Sequence, residues 1–155
     1  MSIKITGLKE IERNIKRKQK ELEQAAKKAI RKSLNEAAKE LEKTAKPLVP
    51  TLGRSTDFRQ KGSVKNNIRH RTKVRKNGLS GYTVVRVRRT KGRRMARIGE
   101  NTRDRTDPFY WFLLDQGTSK MEGKHFMEKT KKQGGDKALK KAEKILVDEL
   151  KKQFK

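Results

Sequence analysis

Cysteine is absent from the 155 residues. That excludes a disulfide framework, a thiol nucleophile and a cysteine-based zinc site. Long apolar runs are missing too. The longest, Phe109-Tyr110-Trp111-Phe112-Leu113-Leu114, falls far short of the ~20 residues of a membrane span. Met1 to Ile5 holds no apolar run, so no signal peptide is expected and the chain reads as intracellular when made. Imidazoles number two, His70 and His125. His70 sits in a strand among arginines, where it reads as a packed or edge residue, and His125 has no patterned carboxylate beside it. A triad needs a nucleophile, a base and an orienting acid, and that set is not visible. The carboxylates are scattered, with neither a paired-acid spacing nor a metal-ligand cluster. There is no phosphate-binding loop, and no cofactor is implied. These absences point away from an enzyme.

Apolar residues are also few. Hydrophobic residues make up 31% of the chain and charged residues 40%, against ~25% charged in an average domain. Leu, Ile, Val and Phe together are about a fifth of the sequence, near the composition at which chains stop folding alone. The length fits one domain, residues 1–155. A thin core is expected, helped by a partner or an oligomer.

What the chain has in excess is positive charge. Lys and Arg number 44 against 18 Asp and Glu, a net charge of +26. Residues 1–50 hold 14 bases and 7 acids, residues 51–105 hold 18 and 3, and residues 106–155 hold 12 and 8. The type of base changes as well. The middle third has 13 Arg and 5 Lys, and the last third has 12 Lys and no Arg. Lys beside Glu on a helix is ordinarily a solvated surface. Arg carries a planar fork suited to phosphate.

From Leu8 to Ala45 apolar residues recur with a helical period: Ile11, Ile15, Leu22, Ala25, Ala26, Ala29, Ala37 and Leu41. Core packing is the plain reading of that stripe. A single straight helix here would be long for a small domain, so a bend is expected near Lys16–Glu21, where charge is densest. Pro47 and Pro50 stop it. Residues 51–62 read as a mobile polar loop.

Residues 63–105 read as a basic antiparallel sheet. Ile68 to Lys76 alternates, with Ile68, His70, Thr72 and Val74 on one face and Arg69, Arg71, Lys73 and Arg75 on the other. Asn77-Gly78 signals a turn. In Tyr82 to Arg89, Thr83, Val85 and Val87 face inward, and Arg86 and Arg88 face outward with Tyr82 and Val84. A third strand is expected over Arg94 to Gly99, with Arg97 outward. Residues 106–155 then give a short aromatic helix ending near Gly117, a loop, and a last helix opened by Gly134-Gly135-Asp136, with Asp136 as N-cap. Leu139, Ala142, Leu146, Leu150 and Phe154 are expected on its buried face. The fold class is α+β: a long N-terminal helix, an antiparallel sheet of three to four strands, a short aromatic helix and a C-terminal helix.

The outer sheet face of Arg69, Arg71, Lys73, Arg75, Arg86, Arg88 and Arg97 admits two readings. One is a solvated face that maintains solubility. The other is a surface for nucleic-acid phosphates, salt-sensitive and without base specificity. Strict alternation and the bias to Arg favour the second. Only Tyr82 interrupts the bases with an aromatic ring, so single-strand stacking has little support. No helix-turn-helix or zinc-finger pattern appears.

Three segments together resemble the neck or tail-completion proteins of long-tailed bacteriophages, which join head and tail. The family's entry into a long helix is similar to Gly7-Leu8-Lys9-Glu10, and its end to Ala45-Lys46-Pro47-Leu48-Val49-Pro50. A second motif is similar to Lys61 through Ile68, matching at Gly62 and Ile68. The most specific resembles Tyr110 to Phe126, through Tyr110, Leu114, Asp115, Gly117, Thr118, Ser119, Lys120, Met121 and Phe126, with His125 where the family has Pro.

The last motif also makes local sense as a structural latch. Gly117 can end a helix in a left-handed conformation, Thr118 and Ser119 can satisfy loose backbone groups, and Met121 and Phe126 can anchor by burial. The resemblance implies a structural virion protein, made in the host cytoplasm and placed in the neck. It implies a homo-oligomeric ring around double-stranded viral DNA, beside head-completion and tail-terminator proteins and away from any membrane. The alternative from another class is a small non-specific nucleic-acid-binding protein of the ribosome or nucleoid.

Overall fold

The computed structural model describes residues 8–76, 78–92, 94 and 103–152. Helix α1 spans Leu8–Leu48, 41 residues without a break, about 60 Å at ~1.5 Å per residue. The bend expected at Lys16–Glu21 does not occur. The charged residues there are good helix formers and they brace one another along the axis. Lys18 Nζ donates to Glu21 at 3.2 Å, Arg17 lies 4.0 Å from the same carboxylate, and Gln19 donates to Glu23 at 3.4 Å. Pro47 lies in the last turn, and the helix ends one residue later.

Helix α2 is one turn, Ser63–Asn66, entered through Gly62 in the left-handed region at φ +78°. Strands β1 (Ile68–Val74) and β2 (Gly81–Val87) pair antiparallel, with Ile68 opposite Val87 and Val74 opposite Gly81. A 3-10 turn covers Thr90–Gly92. Helix α3 (Trp111–Gln116) leads into β3 (Gly117–Thr118) and β4 (Met121–Glu122), which pair with each other. Helix α4 spans Phe126–Lys151. The α+β class is as expected. Among the described residues the four strands form two separate two-stranded ladders. The third strand expected over Arg94 to Gly99 lies, apart from Arg94, outside the described residues.

Helix α4 starts ten residues earlier than Asp136 and runs straight through Gly134-Gly135. Tertiary contact explains the departure. A Cβ on Gly134 would sit 2.9 Å from the Thr44 hydroxyl of α1, so the missing side chain sets the closest approach of the two helices. From that crossing they run antiparallel, linked by Lys141 to Glu40 at 3.1 Å and Lys32 to Glu149 at 2.9 Å. Asp136 is exposed within the helix. Leu139 is a second correction: it is exposed, and its neighbour Ala138 takes the buried place against α1. Phe154 lies outside the described residues.

The true N-cap of α4 comes from elsewhere in the chain. His125 is left-handed at φ +46° and offers no side-chain cap. Asp115, twelve residues before Met127, is buried and accepts the Met127 N–H at 3.0 Å. A carboxylate at a helix N-terminus also meets the positive end of its dipole.

The core gathers where the end of α1, the base of the β1–β2 hairpin, α3 and the start of α4 converge. Ala45, Val49, Val64, Ile68, Val87, Tyr110 and Phe126 are buried there. Phe126 is fully buried, with the Trp111 ring edge-on at 6.5 Å. Along α1 the expected stripe divides. Ala29, Ala37 and Ala45 are buried as expected, but Ile11, Ile15 and Leu22 are exposed: the hairpin turn meets α1 at Glu23, beside Leu22, and Ile11 and Ile15 lie further along the helix. Residues 51–60 are exposed too, yet tied down. Gln60 N–H donates to Arg105 O at 2.9 Å, and the Arg59 guanidinium lies 4.3 Å from the Tyr110 ring centre.

Candidate nucleic-acid interface

The hairpin has two chemically different faces because side chains alternate along a strand. Its inner face lies on α1. Ile68 and Val87 are buried, Thr72 and Thr83 share a hydrogen bond of 2.9 Å, and His70 Nδ1 meets the Glu42 carboxylate at 2.8 Å. His70 is thus a tie between strand and helix. Gly81 lies so close to Ile30 and Leu34 of α1 that a Cβ would come within 3.2 Å of both.

The outer face carries Arg69, Arg71 and Lys73 on β1 and Tyr82, Val84 and Arg86 on β2, all exposed. Arg69 stands opposite Arg86, Arg71 opposite Val84, and Lys73 opposite Tyr82. Successive bases on β1 are therefore ~7 Å apart, and Arg69 and Arg86 have Cβ atoms ~5 Å apart. Like charges placed directly opposite are unfavourable. Among the described residues no carboxylate relieves them: Arg69, Arg71, Lys73, Arg75, Arg86 and Arg88 make no ion pair. Arg75 and Arg88 extend the face at its two ends, both exposed. Near Arg88 the surface dips into a cleft of about 290 Å3 lined by Arg86, Arg88, Arg94 and Trp111. Arg97 lies outside the described residues.

Not every arginine of the segment belongs to this face. Arg89 turns inward and is buried. Its Nε and Nη2 fork onto Asp107 at 3.0 and 2.7 Å, and its Nη1 donates to Arg94 O at 3.1 Å. A forked arginine–carboxylate pair is geometrically strict. It ties the end of β2 to the entry of α3. Sequence reading missed this pair, and alternation is the one signal that points to it, since Val87 and Arg89 share the inward parity.

The residues of the Tyr110–Phe126 motif come together at the other end of the core. Tyr110 packs edge-on against Phe109 at 5.4 Å. Gly117 ends α3 at φ +89°, ψ −176°, and a Cβ there would fall 2.6 Å from the Gly123 N. That conformation is reserved for glycine. Gly123 is equally constrained, with a Cβ position 2.6 Å from Gln116 O, and sequence reading did not single it out. Thr118 and Met121 pair, leaving Ser119-Lys120 as a two-residue turn in which Thr118 Oγ1 accepts the Lys120 N–H at 3.2 Å. His125 N–H donates to Asp115 O at 2.9 Å and closes the loop. Met121 is exposed, contrary to the expected burial, because the turn projects from the body; Phe126 alone supplies the anchor.

Among the described residues no group of three or more His, Asp and Glu side chains could hold a metal ion. No helix among them is long and apolar enough to cross a membrane.

The family model described as "Bacteriophage HK97-gp10, putative tail-component" matches residues 12–117. That stretch takes in most of α1, the whole β1–β2 hairpin and α3. Neither the curated proteins nor the solved structures gave a match to the chain.

Proposed function

The chain belongs to the HK97-gp10-like family of phage tail components, a head–tail joining and tail-completion family, and we propose that it acts as a ring whose outer hairpin face meets the DNA passing through. The role is structural, in the neck of the virion, between head-completion and tail-terminator proteins and reached after assembly in the host cytoplasm. No catalytic step is involved.

The observation that carries this reading is the outer hairpin face, where Arg69, Arg71, Lys73 and Arg86 lie exposed without a carboxylate among the described residues. DNA in transit presents every sequence in turn. A surface that meets it must bind phosphates and ignore bases. Separate bases on a two-stranded ladder suit that task, since each contact is weak and each is readily exchanged for the next. A ring also fits a chain that is only 31% hydrophobic and leaves Ile11, Ile15 and Leu22 exposed.

Disrupting the gene in the parent phage tests the neck role. Electron microscopy is expected to show filled heads beside unattached or abnormal tails, and intact virions would overturn it. Charge reversal tests the DNA contact separately. Virions carrying Arg69→Glu, Arg71→Glu and Arg86→Glu are expected to assemble and to deliver DNA poorly. Normal delivery by such virions would leave the neck role standing and remove the channel face.

A further inference from the structure

At one end of the hairpin the outer face gives way to a concavity. Past Arg86 the surface falls into the cleft of about 290 Å3 between the end of β2 and α3. Four of the seven described residues that line it are arginines, Arg86, Arg88, Arg89 and Arg94. Among the described residues no carboxylate lines it. The charge of Arg89 is met beneath the surface, where its fork closes on Asp107, whose side chain is fully buried. Arg86 and Arg88 are exposed and make no ion pair among the described residues. Arg94 is exposed as well.

The cleft is held in shape by the fold itself. Arg88 N–H donates to Asn67 O at 2.9 Å, which ties the strand end to the residue before β1. Arg89 Nη1 donates to Arg94 O at 3.1 Å, so the buried pair also fixes the backbone at Arg94. Trp111 supplies an uncharged side. It is half-buried, with its ring against Phe126. Chemistry and size then identify the ligand. Guanidinium donors suit phosphate oxygens. Small-ligand pockets run ~300–1,000 Å3, so this cleft has room for one sugar–phosphate unit of a nucleic-acid backbone and too little for a base pair. The apolar side of a deoxyribose suits the indole. Arg86 is common to both surfaces, since it stands opposite Arg69 on the outer face and also lines the cleft. A DNA strand lying along the hairpin therefore reaches the cleft without leaving the arginines.

We propose that the cleft is an anchoring subsite for one sugar–phosphate unit of double-stranded DNA, held by Arg86 and Arg88 against Trp111. The inference rests on the DNA-contact reading of the hairpin and adds a second kind of contact to it. On the outer face a phosphate is touched from one side and exchanged freely. In the cleft it is enclosed, and it leaves slowly. Contacts to phosphate and sugar carry no base information, so the anchor holds any sequence. The protein then retains DNA at the cleft as well as letting it pass over the hairpin.

Trp111 is the one tryptophan of the chain, so its fluorescence reports on the cleft. Full-length protein is saturated with short random-sequence double-stranded DNA, and occupancy is followed by the anisotropy of a dye on the DNA. Trp111 is then quenched with acrylamide, an uncharged probe that DNA does not repel. Quenching is expected to fall by more than half on saturation. In Arg88→Ala the bond to Asn67 survives, because the backbone N–H makes it. That variant is expected to unfold like wild type and to lose the protection of Trp111. It is also expected to release DNA roughly tenfold faster, the loss of one hydrogen bond to a charged group. Arg71→Ala, on the outer face and outside the cleft, is expected to keep the protection at saturation and to release DNA no more than about threefold faster. Bound DNA that leaves Trp111 as open as before would overturn the anchor and leave the hairpin reading standing. Equal release by the two variants would do the same. A protein that binds no DNA would remove both. Protection by millimolar inorganic phosphate with none by DNA would give the cleft to free phosphate, which also overturns the inference.

Discussion

Arg88 and Arg89 follow each other at the end of β2 and leave it in opposite directions. The Arg89 side chain is 5% exposed and forked onto an Asp107 carboxylate that is fully buried. Arg88 is exposed beside Arg86, with no ion pair among the described residues. One guanidinium holds the fold together and the other has no carboxylate to hold among the described residues. The same contrast divides the whole hairpin. Its inward side is tied to α1 through His70 and Glu42 and sealed by Ile68 and Val87, whereas its outward side sets Arg69 against Arg86. Like charges facing each other lower stability. The proposal of an outside anion rests on that pair and on the lack of a carboxylate partner among the described residues.

The contrast breaks most visibly from the inside. Asp107→Ala leaves the Arg89 charge buried without its partner, a change that costs ~3–5 kcal/mol. Denaturant unfolding is expected to show that loss, with a fall in Tm on the order of 10 °C. Gly134→Leu forces a side chain into the Thr44 contact between α1 and α4. It is expected to cost ~1–3 kcal/mol through strain or separation of the helices. Asp115→Ala removes the cap from Met127, with an expected loss of ~0.5–2 kcal/mol.

The outer face is expected to behave in the opposite way. Neutralising Arg69, Arg71 and Arg86 together removes no ion pair among the described residues, so each change is expected to shift stability by no more than ~0.5 kcal/mol, and the sum to be neutral or favourable. Acidification gives the smallest effect. Hydrogen bonds from Lys32 and Lys152 hold the Glu149 carboxyl below its ordinary value, and one from Lys39 does the same to Glu36. Groups whose folded pKa lies below the unfolded value contribute above that unfolded value and lose the contribution as pH falls through the carboxylate range. Both side chains face solvent, so a modest softening of the α1–α4 seam is expected on titration from neutral pH to below 4, and salt is expected to mask it.

Much of the hairpin was legible because alternation is a local signal. The sequence pattern of Ile68 to Val74 and Tyr82 to Val87 names the same inner and outer residues that the structure does. Lys16–Glu21 apart, the departures involve information from other parts of the chain. Gly134-Gly135 reads as a helix boundary because each glycine costs ~1 kcal/mol inside a helix; a threonine ninety residues earlier makes the first of them an advantage. Asp115 is invisible as a cap because capping patterns are sought within three or four positions of the helix start. Lys16–Glu21 suggests a bend by charge density, while propensity and pairing along the axis keep α1 unbroken. Leu139 and Met121 were placed inside on hydrophobicity alone, and the positions of α1 and of the β3–β4 turn put them outside.

The most direct test of the two-faced hairpin is the salt dependence of binding to random-sequence double-stranded DNA. Wild type is compared with the folded Arg69→Ala, Arg71→Ala, Arg86→Ala protein. Each phosphate contact contributes ~0.9 to the slope of log K against log salt. The predicted result is a slope shallower by ~2–3 in the variant, with unchanged unfolding and no dependence on DNA sequence. Equal slopes and equal affinities in the two proteins would contradict a phosphate-binding outer face.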